Sequence, residues 1–352
     1  MARIIVINLG STSSKGAVYE DLKCLDEFTL RHSSEDLLPF KRIIEQVDFR
    51  QHCVEDWLRD HGYRLDEMDV FCVRGGLIKP LPSGIYKVND EIIADVMVDK
   101  YGAHVSSVGM VIGHRWANQY NKPAIFANAP ITDELQDVAR FTGLKGVQRR
   151  SLFHALNQKQ IAFQYAKSIG KHVSDLNLIV CHLGGGISVG AHRFGKIVDV
   201  SNALDGEGPF SPERAGNLSN FMVLDLVEQM QDIPAIKRLL GGKSGLISHL
   251  GTNSMVDALK MAETDEYAKR VIDAMIYQIT KEIGSMSAVL EGKVDQILIT
   301  GGLAYNKAFV QKIMDKVDWI QAVTVYPGED ELFALASAAV RFIRGEEELH
   351  FY

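Results

Sequence analysis

The sequence predicts an α/β protein built as two lobes of one duplicated design, with a central cleft between them. Three observations carry this expectation. Short apolar, β-branched runs alternate along the chain with stretches of helical apolar spacing, the pattern of an α/β fold. One local design, a buried strand, a small-residue turn and a returning strand, occurs at residues 4–19 and again at 176–191, which marks an internal repeat. The chain has 352 residues, 46% hydrophobic and 24% charged, enough for two cores at ordinary domain size. No low-complexity linker separates the halves, so one hinged body is expected. The expected boundaries are 1–149, rejoined by a returning C-terminal helix at 332–352, and 150–331.

The elements follow in order. Ile4 to Ile7 reads as a buried strand, Asn8 to Gly16 as a polar turn, and Ala17 to Tyr19 as the returning strand. Leu37 to His61 has helical apolar spacing through Ile43, Ile44, Val47, Val54, Trp57 and Leu58. Asp69 to Val73 is a strand ending on Arg74-Gly75-Gly76. Helices are expected around 91–101 and 107–120, and a strand at Ala124 to Ala127 leads into Asn128-Ala129-Pro130. A helix at 152–169 opens the second half. A strand at 176–183 follows, turned by Gly184-Gly185-Gly186 into a strand at 187–191. Gln296 to Thr300 is a third strand ending on glycines, followed by a helix at 304–317 and a last helix at 331–344.

Composition excludes several classes. The 38 Lys+Arg against 45 Asp+Glu give a net charge of -7, which argues against a general nucleic-acid binder. No stretch approaches the roughly 20 apolar residues of a membrane span. The apolar run at the start stops at Asn8, too short for a secretion signal. Cys24, Cys53, Cys72 and Cys181 lack metal-ligand spacing and are expected to be buried free thiols in a cytoplasmic protein.

Close approach of backbone N–H groups to a phosphate requires the absence of Cβ atoms. The turns at 8–16, 182–190 and 300–303 are candidates, with Gly10, Ser11, Thr12, Ser13, Ser14 and Lys15 in the first, Gly184, Gly185 and Gly186 in the second, and Gly301 and Gly302 in the third. The alternative for each is a tight hairpin whose glycine serves only the backbone. Gly242-Lys243-Ser244 imitates the end of a P-loop, but Lys237 stands where that motif needs glycine. The Gly184 turn runs on into a strand, whereas a dinucleotide turn opens a helix. Arg74 and Arg214 are candidate anion forks, His154 a phosphoryl donor at a helix head, and His182 a site or core histidine. Glu329, Asp330 and Glu331 either complement a helix dipole or serve a magnesium ion through water.

Several of these segments resemble the acetate and butyrate kinases. Residues 5–15 resemble that family's first phosphate motif, 153–159 its central histidine motif in the butyrate kinase form, and 182–192 its second phosphate motif. Residues 202–214 are very close to butyrate kinases, and 300–305 and 326–331 complete the set. The resemblance runs nearly end to end. It implies the duplicated ribonuclease-H-like fold of the actin-like ATPases, with a nucleotide in the cleft. It implies the reaction butanoate + ATP ⇌ butanoyl phosphate + ADP with Mg²⁺, in a homodimer or higher assembly. By motif position, Asn8 helps hold Mg²⁺, Ser13 and Lys15 neighbour the transferred phosphoryl, and Arg74 and Arg214 grip carboxylate and phosphoryl. His154 stabilises the transferring group, His182 belongs to the second phosphate loop, and Asn253 lies near the nucleoside. One of Glu329, Asp330 and Glu331 is the magnesium-linked acid. The chain departs from the family at Asn128, where an aspartate is usual; Asp133, five residues on, is a candidate replacement. Another short acid (branched-chain, propionate or acetate), or a catalytically impaired nucleotide-binding regulator, is the alternative function.

Overall fold

The computed structural model describes residues 1–352. Its strands are β1 (Arg3–Gly10), β2 (Ser13–Glu20), β3 (Lys23–Arg31), β4 (Val70–Val73), β5 (Ile85–Lys87), β6 (Ala124–Ala127), β7 (Asn177–Leu183), β8 (Ile187–Arg193), β9 (Lys196–Val200), β10 (Gln296–Gly301), β11 (Val323–Pro327) and β12 (Leu349–His350). The chain divides into two compact units, Met1–Thr132 with Asp330–Tyr352, and Asp133–Glu329.

In unit 1 the strand order is β12-β5-β6-β4-β1-β2-β3. β1, β2 and β3 form an antiparallel meander, and β4 and β6 continue the sheet parallel to β1. In unit 2 the order is β11-β10-β7-β8-β9. β7, β8 and β9 form the antiparallel meander, and β10 and β11 run parallel to β7. The two five-strand arrangements are the same, which is the duplication the sequence predicts.

Leu178 to Leu183 of β7 are all buried, and their side chains alternate between two cores as in a strand covered on both faces. Ile179, Cys181 and Leu183 join a core with the helix Glu266–Val289, while Leu178 and Val180 pack with Ile161 and Ala166 of the helix Ala155–Ser168. Glu266–Val289 is 24 residues long and is not among the expected elements. Its buried Val271, Ile272, Met275, Ile276, Ile279 and Ile283 have helical spacing. β3 also lacks a forecast, because most of its residues are exposed and show no apolar run.

Residues 133–149 pack within unit 2, so the first boundary falls before the expected one. Gln136 donates its backbone N–H to Val198, Lys159 pairs with Glu134 at 2.6 Å, and Arg149 bonds Asp199 and Glu207. The expected turn at 8–16 is also tighter. β1 reaches Gly10 and β2 starts at Ser13, so only Ser11 and Thr12 form the loop. Of the four cysteines, only Cys72 and Cys181 are buried; Cys24 is exposed and Cys53 intermediate. Gly242-Lys243 closes the helix Ile233–Gly242, consistent with its exclusion as a P-loop. No helix is long and apolar enough to cross a membrane.

Gly301 ends β10 at φ +93°, and a Cβ there would overlap the backbone of Leu183 at the end of β7. Gly301→Ala is expected to cost roughly 2–5 kcal/mol through backbone strain and overpacking. Chemical denaturation measures this, and a loss below half a kcal/mol would contradict it.

Candidate functional site

Both sheets collect their chemistry at the carboxyl ends of neighbouring parallel strands, the usual ligand position in such sheets. In unit 1, Asn8 stands near the end of β1, Arg74 directly follows β4, and Asn128 directly follows β6. The N–H of Arg74 donates to Ile7 at 3.0 Å, which continues the ladder into the turn. Asn8 lies opposite Lys15 in the β1–β2 register, so both side chains share one face of the sheet. Lys15, Ser11 and Thr12 are exposed.

Glu331, at the start of the helix Glu331–Ile343, is held from two sides. Its Oε1 lies 2.5 Å from Arg74 Nη1, and its Oε2 accepts from Asn8 Nδ2 at 2.6 Å. Asp330 instead caps the helix, accepting from the Phe333 N–H at 2.8 Å. Glu331, not Asp330, is therefore the acid joined to the other candidates in unit 1. His104 is a neighbour the sequence does not single out. Burial of the ring and the charge of Arg74 lower its pKa, with Glu331 opposing.

Asn128 takes the left-handed backbone at φ +43°, a region that Asn and Asp tolerate. Its Oδ1 accepts from the Gly84 N–H at 3.0 Å, and its own N–H donates back to the Gly84 carbonyl at 3.2 Å. Asp133 is engaged elsewhere, in unit 2, by Arg140 at 2.6 Å.

In unit 2, His182 on β7 pairs in register with Thr300 on β10, which brings the turns at 184–186 and 301–302 side by side. Gly301 exchanges two backbone hydrogen bonds with Gly328, each 3.0 Å. The loop after β9 folds onto the first of these turns. Ser211 Oγ donates to the Gly185 carbonyl at 2.5 Å. A Cβ on Gly186 would overlap the Arg214 guanidinium and crowd His154, and one on Gly185 would press on the Glu213 carboxylate. These two glycines are bare because side chains from elsewhere lie against them. Asn253 Nδ2 donates to Glu213 at 3.0 Å, which ties it to the same cluster.

Arg214 Nη1 donates to the Ala203 carbonyl at 2.8 Å, while its buried Nε has no partner. Burial lowers the pKa of Arg214, and Glu213 opposes that shift. A guanidinium with an unspent buried N–H is a ready anion donor. His154 is the residue before the helix Ala155–Ser168, and its ring stacks on that of His182 at 3.8 Å and 10°. His182 Nδ1 meets Asn157 Oδ1 at 2.9 Å, and its Nε2 meets Glu329 Oε2 at 3.2 Å.

A hydrogen-bonded chain orients His154. His192 Nε2 meets Gln158 Oε1 at 3.0 Å, Gln158 Nε2 donates to Ser188 Oγ at 2.9 Å, and Ser188 Oγ meets His154 Nδ1 at 2.9 Å. Ser188 Oγ, which carries one donor and two acceptor sites, accepts from Gln158 and shares a second hydrogen bond with His154 Nδ1, which fixes the direction of the ring. Asn157 and Gln158 follow His154 by three and four residues on one helix, and that spacing is the signal that could have found them. Phe153, the residue before His154, is 3% exposed among Leu135, Ile197 and Val200 and belongs to the core.

The twice-used sheet, an antiparallel meander beside two parallel strands, is that of the ribonuclease-H-like, actin-like ATPase fold. The family model described as the acetokinase family matches residues 138–326. The chain is 44% identical over 356 aligned positions to the probable butyrate kinase of Clostridium botulinum (strain Alaska E43 / Type E3), covering 99% of each. It is 44% identical over 352 positions to butyrate kinase 2 of Clostridium acetobutylicum, again covering 99% of each. The crystal structure of Porphyromonas gingivalis acetate kinase superposes with a TM-score of 0.79 at 19% identity, covering 97% of this chain and 100% of that one. The chain belongs to the acetokinase family and is a carboxylate kinase.

Two outcomes follow. Asn128→Asp keeps the acceptor that Gly84 uses, so the variant is expected to fold normally and to retain or exceed wild-type activity; a folded variant without turnover would overturn this. His192 is buried, and burial with the nearby Lys159 holds its pKa well below that of free imidazole. As pH falls through about 6.5, the unfolded chain takes up a proton there and the folded chain does not, so stability drops by up to ~1.4 kcal/mol per pH unit. Denaturation profiles of His192→Gln are expected to be flatter on the acid side, and an unchanged slope would exclude this histidine.

Proposed function

We propose that the protein transfers the γ-phosphoryl group of ATP to butanoate, giving butanoyl phosphate and ADP, and that it runs in either direction. The observation that carries the substrate is the 44% identity over 99% of the chain to two butyrate kinases. The site chemistry is compatible with it. A carboxylate is already ionised at neutral pH, so its attack on phosphorus needs no general base. One bond forms between a carboxylate oxygen and the γ-phosphorus, the bond from that phosphorus to the bridging oxygen breaks, and ADP keeps the electron pair.

The obstacle is repulsion between two anions, about 4 kcal/mol for unit charges 4 Å apart at an effective dielectric near 20. Fixed cations and donors lower it, as phosphoryl transfer generally requires. Arg214 and His154 Nε2, gathered at Gly186, are assigned to the transferring phosphoryl group. Arg74, fixed by Glu331, is assigned to the carboxylate. His182 holds the His154 ring by stacking. The turns at 10–15, 184–186 and 301–302 are assigned to nucleotide phosphates, and Asn253 to the nucleoside side of the Glu213 cluster.

Mg²⁺ fits the oxygen donors of Asn8 and Glu331, with Asp330 one residue away. Mg²⁺ prefers oxygen donors and usually keeps several waters beside one or two protein ligands and substrate phosphates. Bound there, the ion would neutralise phosphate charge. A cytoplasmic location is supported by four unpaired cysteines. A homodimer or higher assembly is supported by exposed Phe221, Met222, Leu224 and Ile233 on two adjoining helices of unit 2.

Acyl phosphate trapped as hydroxamate tests the reaction with acetate, propionate, butanoate and isobutyrate. Butanoate is expected to give the highest kcat/KM, and no product from any acid would defeat the reading. Arg214→Ala is expected to lower turnover about 100-fold or more while ADP affinity stays nearly intact. A variant keeping more than about a third of the turnover, far short of that loss, would remove Arg214 from its assigned role.

A further inference from the structure

We propose that Arg50 is a positioning residue for the β1–β2 turn: from beneath, it draws the turn's carbonyl groups into the protein and leaves amide and hydroxyl donors for a polyphosphate. This rests on the reading that ATP phosphates bind at that turn. Arg50 belongs to the helix Val47–Asp60 and is 0% exposed, a rare state for an arginine. No carboxylate pairs with it. Its Nη2 donates to the Ser11 carbonyl at 2.9 Å, and its Nη1 to the Ser13 carbonyl at 2.9 Å and to Ser14 Oγ at 3.3 Å. Gln46 Oε1 accepts from Nε at 2.9 Å and fixes the plane of the guanidinium.

The intervening carbonyl is occupied as well. Thr12 accepts from the backbone N–H of His32 at 2.9 Å, and His32 Nε2 also meets Ser14 Oγ at 2.8 Å. Three successive carbonyls of the turn are therefore bonded by the protein's own donors. Carbonyl oxygens repel a phosphate, whereas N–H groups attract it. A turn whose carbonyls are all held on the protein side offers an anion its donors alone, and Ser11, Thr12 and Lys15 are exposed there. Burial lowers the pKa of Arg50 only to about 10, so it remains a cation at neutral pH. Its charge, cancelled by no acid, adds to the field above the turn. A carboxylate partner would have removed that field, which accounts for the use of backbone acceptors instead.

The test uses Arg50→Met, Arg50→Lys and Gln46→Met in the full chain, with melting temperature, KM for each substrate and ADP affinity by calorimetry. Arg50→Met is expected to raise KM for ATP and the ADP dissociation constant about tenfold or more, leaving KM for butanoate nearly unchanged. Arg50→Lys keeps the charge but replaces the planar fork, whose separate nitrogens reach Gln46, Ser13 and Ser11, by a single ammonium, so a smaller rise in the same parameters is expected. Gln46→Met leaves the charge in place and loosens its orientation, so KM for ATP rises while turnover at saturating ATP holds.

A merely structural arginine would lower the melting temperature and leave the KM for ATP of the folded protein unchanged. That result in either Arg50 variant overturns the proposal, as does an equal rise in both KM values. Should Arg50→Met not fold, Arg50→Lys and Gln46→Met decide. Wild-type protein that phosphorylates no short acid, yet loses ADP affinity in Arg50→Lys, defeats the proposed reaction and supports this inference. An active enzyme whose Arg50 variants bind nucleotide normally defeats the inference alone.

Discussion

The close approach of Arg214 and His154 to the backbone at Gly186 is the constraint on which unit 2 depends. A Cβ at that position cannot coexist with the guanidinium. The bare turn lets the loop after β9 settle onto the end of β7, where Ser211 fastens it to Gly185. Arg214 is thereby carried to a histidine whose ring is already held by stacking and by Ser188. The glycines thus admit side chains from other segments that a Cβ would exclude.

Charge is handled differently in the two units. In unit 1, Arg74 is neutralised by Glu331, and that carboxylate is also bonded by Asn8. A paired arginine keeps its direction but loses much of its long-range field. Arg50, bonded only to neutral acceptors, keeps its field. In unit 2, Arg214 has a carbonyl partner and an unspent Nε. Fixed donors of this kind stabilise developing charge without reorganising, which makes them effective for phosphoryl transfer.

The duplicated sheet explains why these groups fall where they do. Each unit places an antiparallel meander beside two parallel strands. Each therefore has a tight turn after its first strand and adjacent strand ends beside it. The turn presents backbone donors, and the neighbouring ends present Arg74 and Asn128 in unit 1 and the Gly301 turn in unit 2. A single local solution is used twice with different side chains.

How much was legible follows from what each feature depends on. The strands β1, β4, β6, β7 and β10 were readable because they are buried apolar runs ending on small residues, and burial leaves a composition signal. β3 was not, because an exposed edge strand carries none. The pairing of Glu331 with Asn8 and Arg74 could not be read: the partners are hundreds of positions apart, and three consecutive acids look equivalent until one of them becomes the helix cap. Arg50 was invisible for the same reason, since its partners are backbone carbonyls that bear no residue-type signature. The sequence by itself determined the α/β class, the repeat, the bare turns and the family, because these are written in local periodicity and contiguous motifs. Only the tertiary structure decided which acid meets which arginine, which groups hold the His154 ring and what lies beneath the first turn. Those depend on chain crossings that bring distant residues within hydrogen-bonding reach.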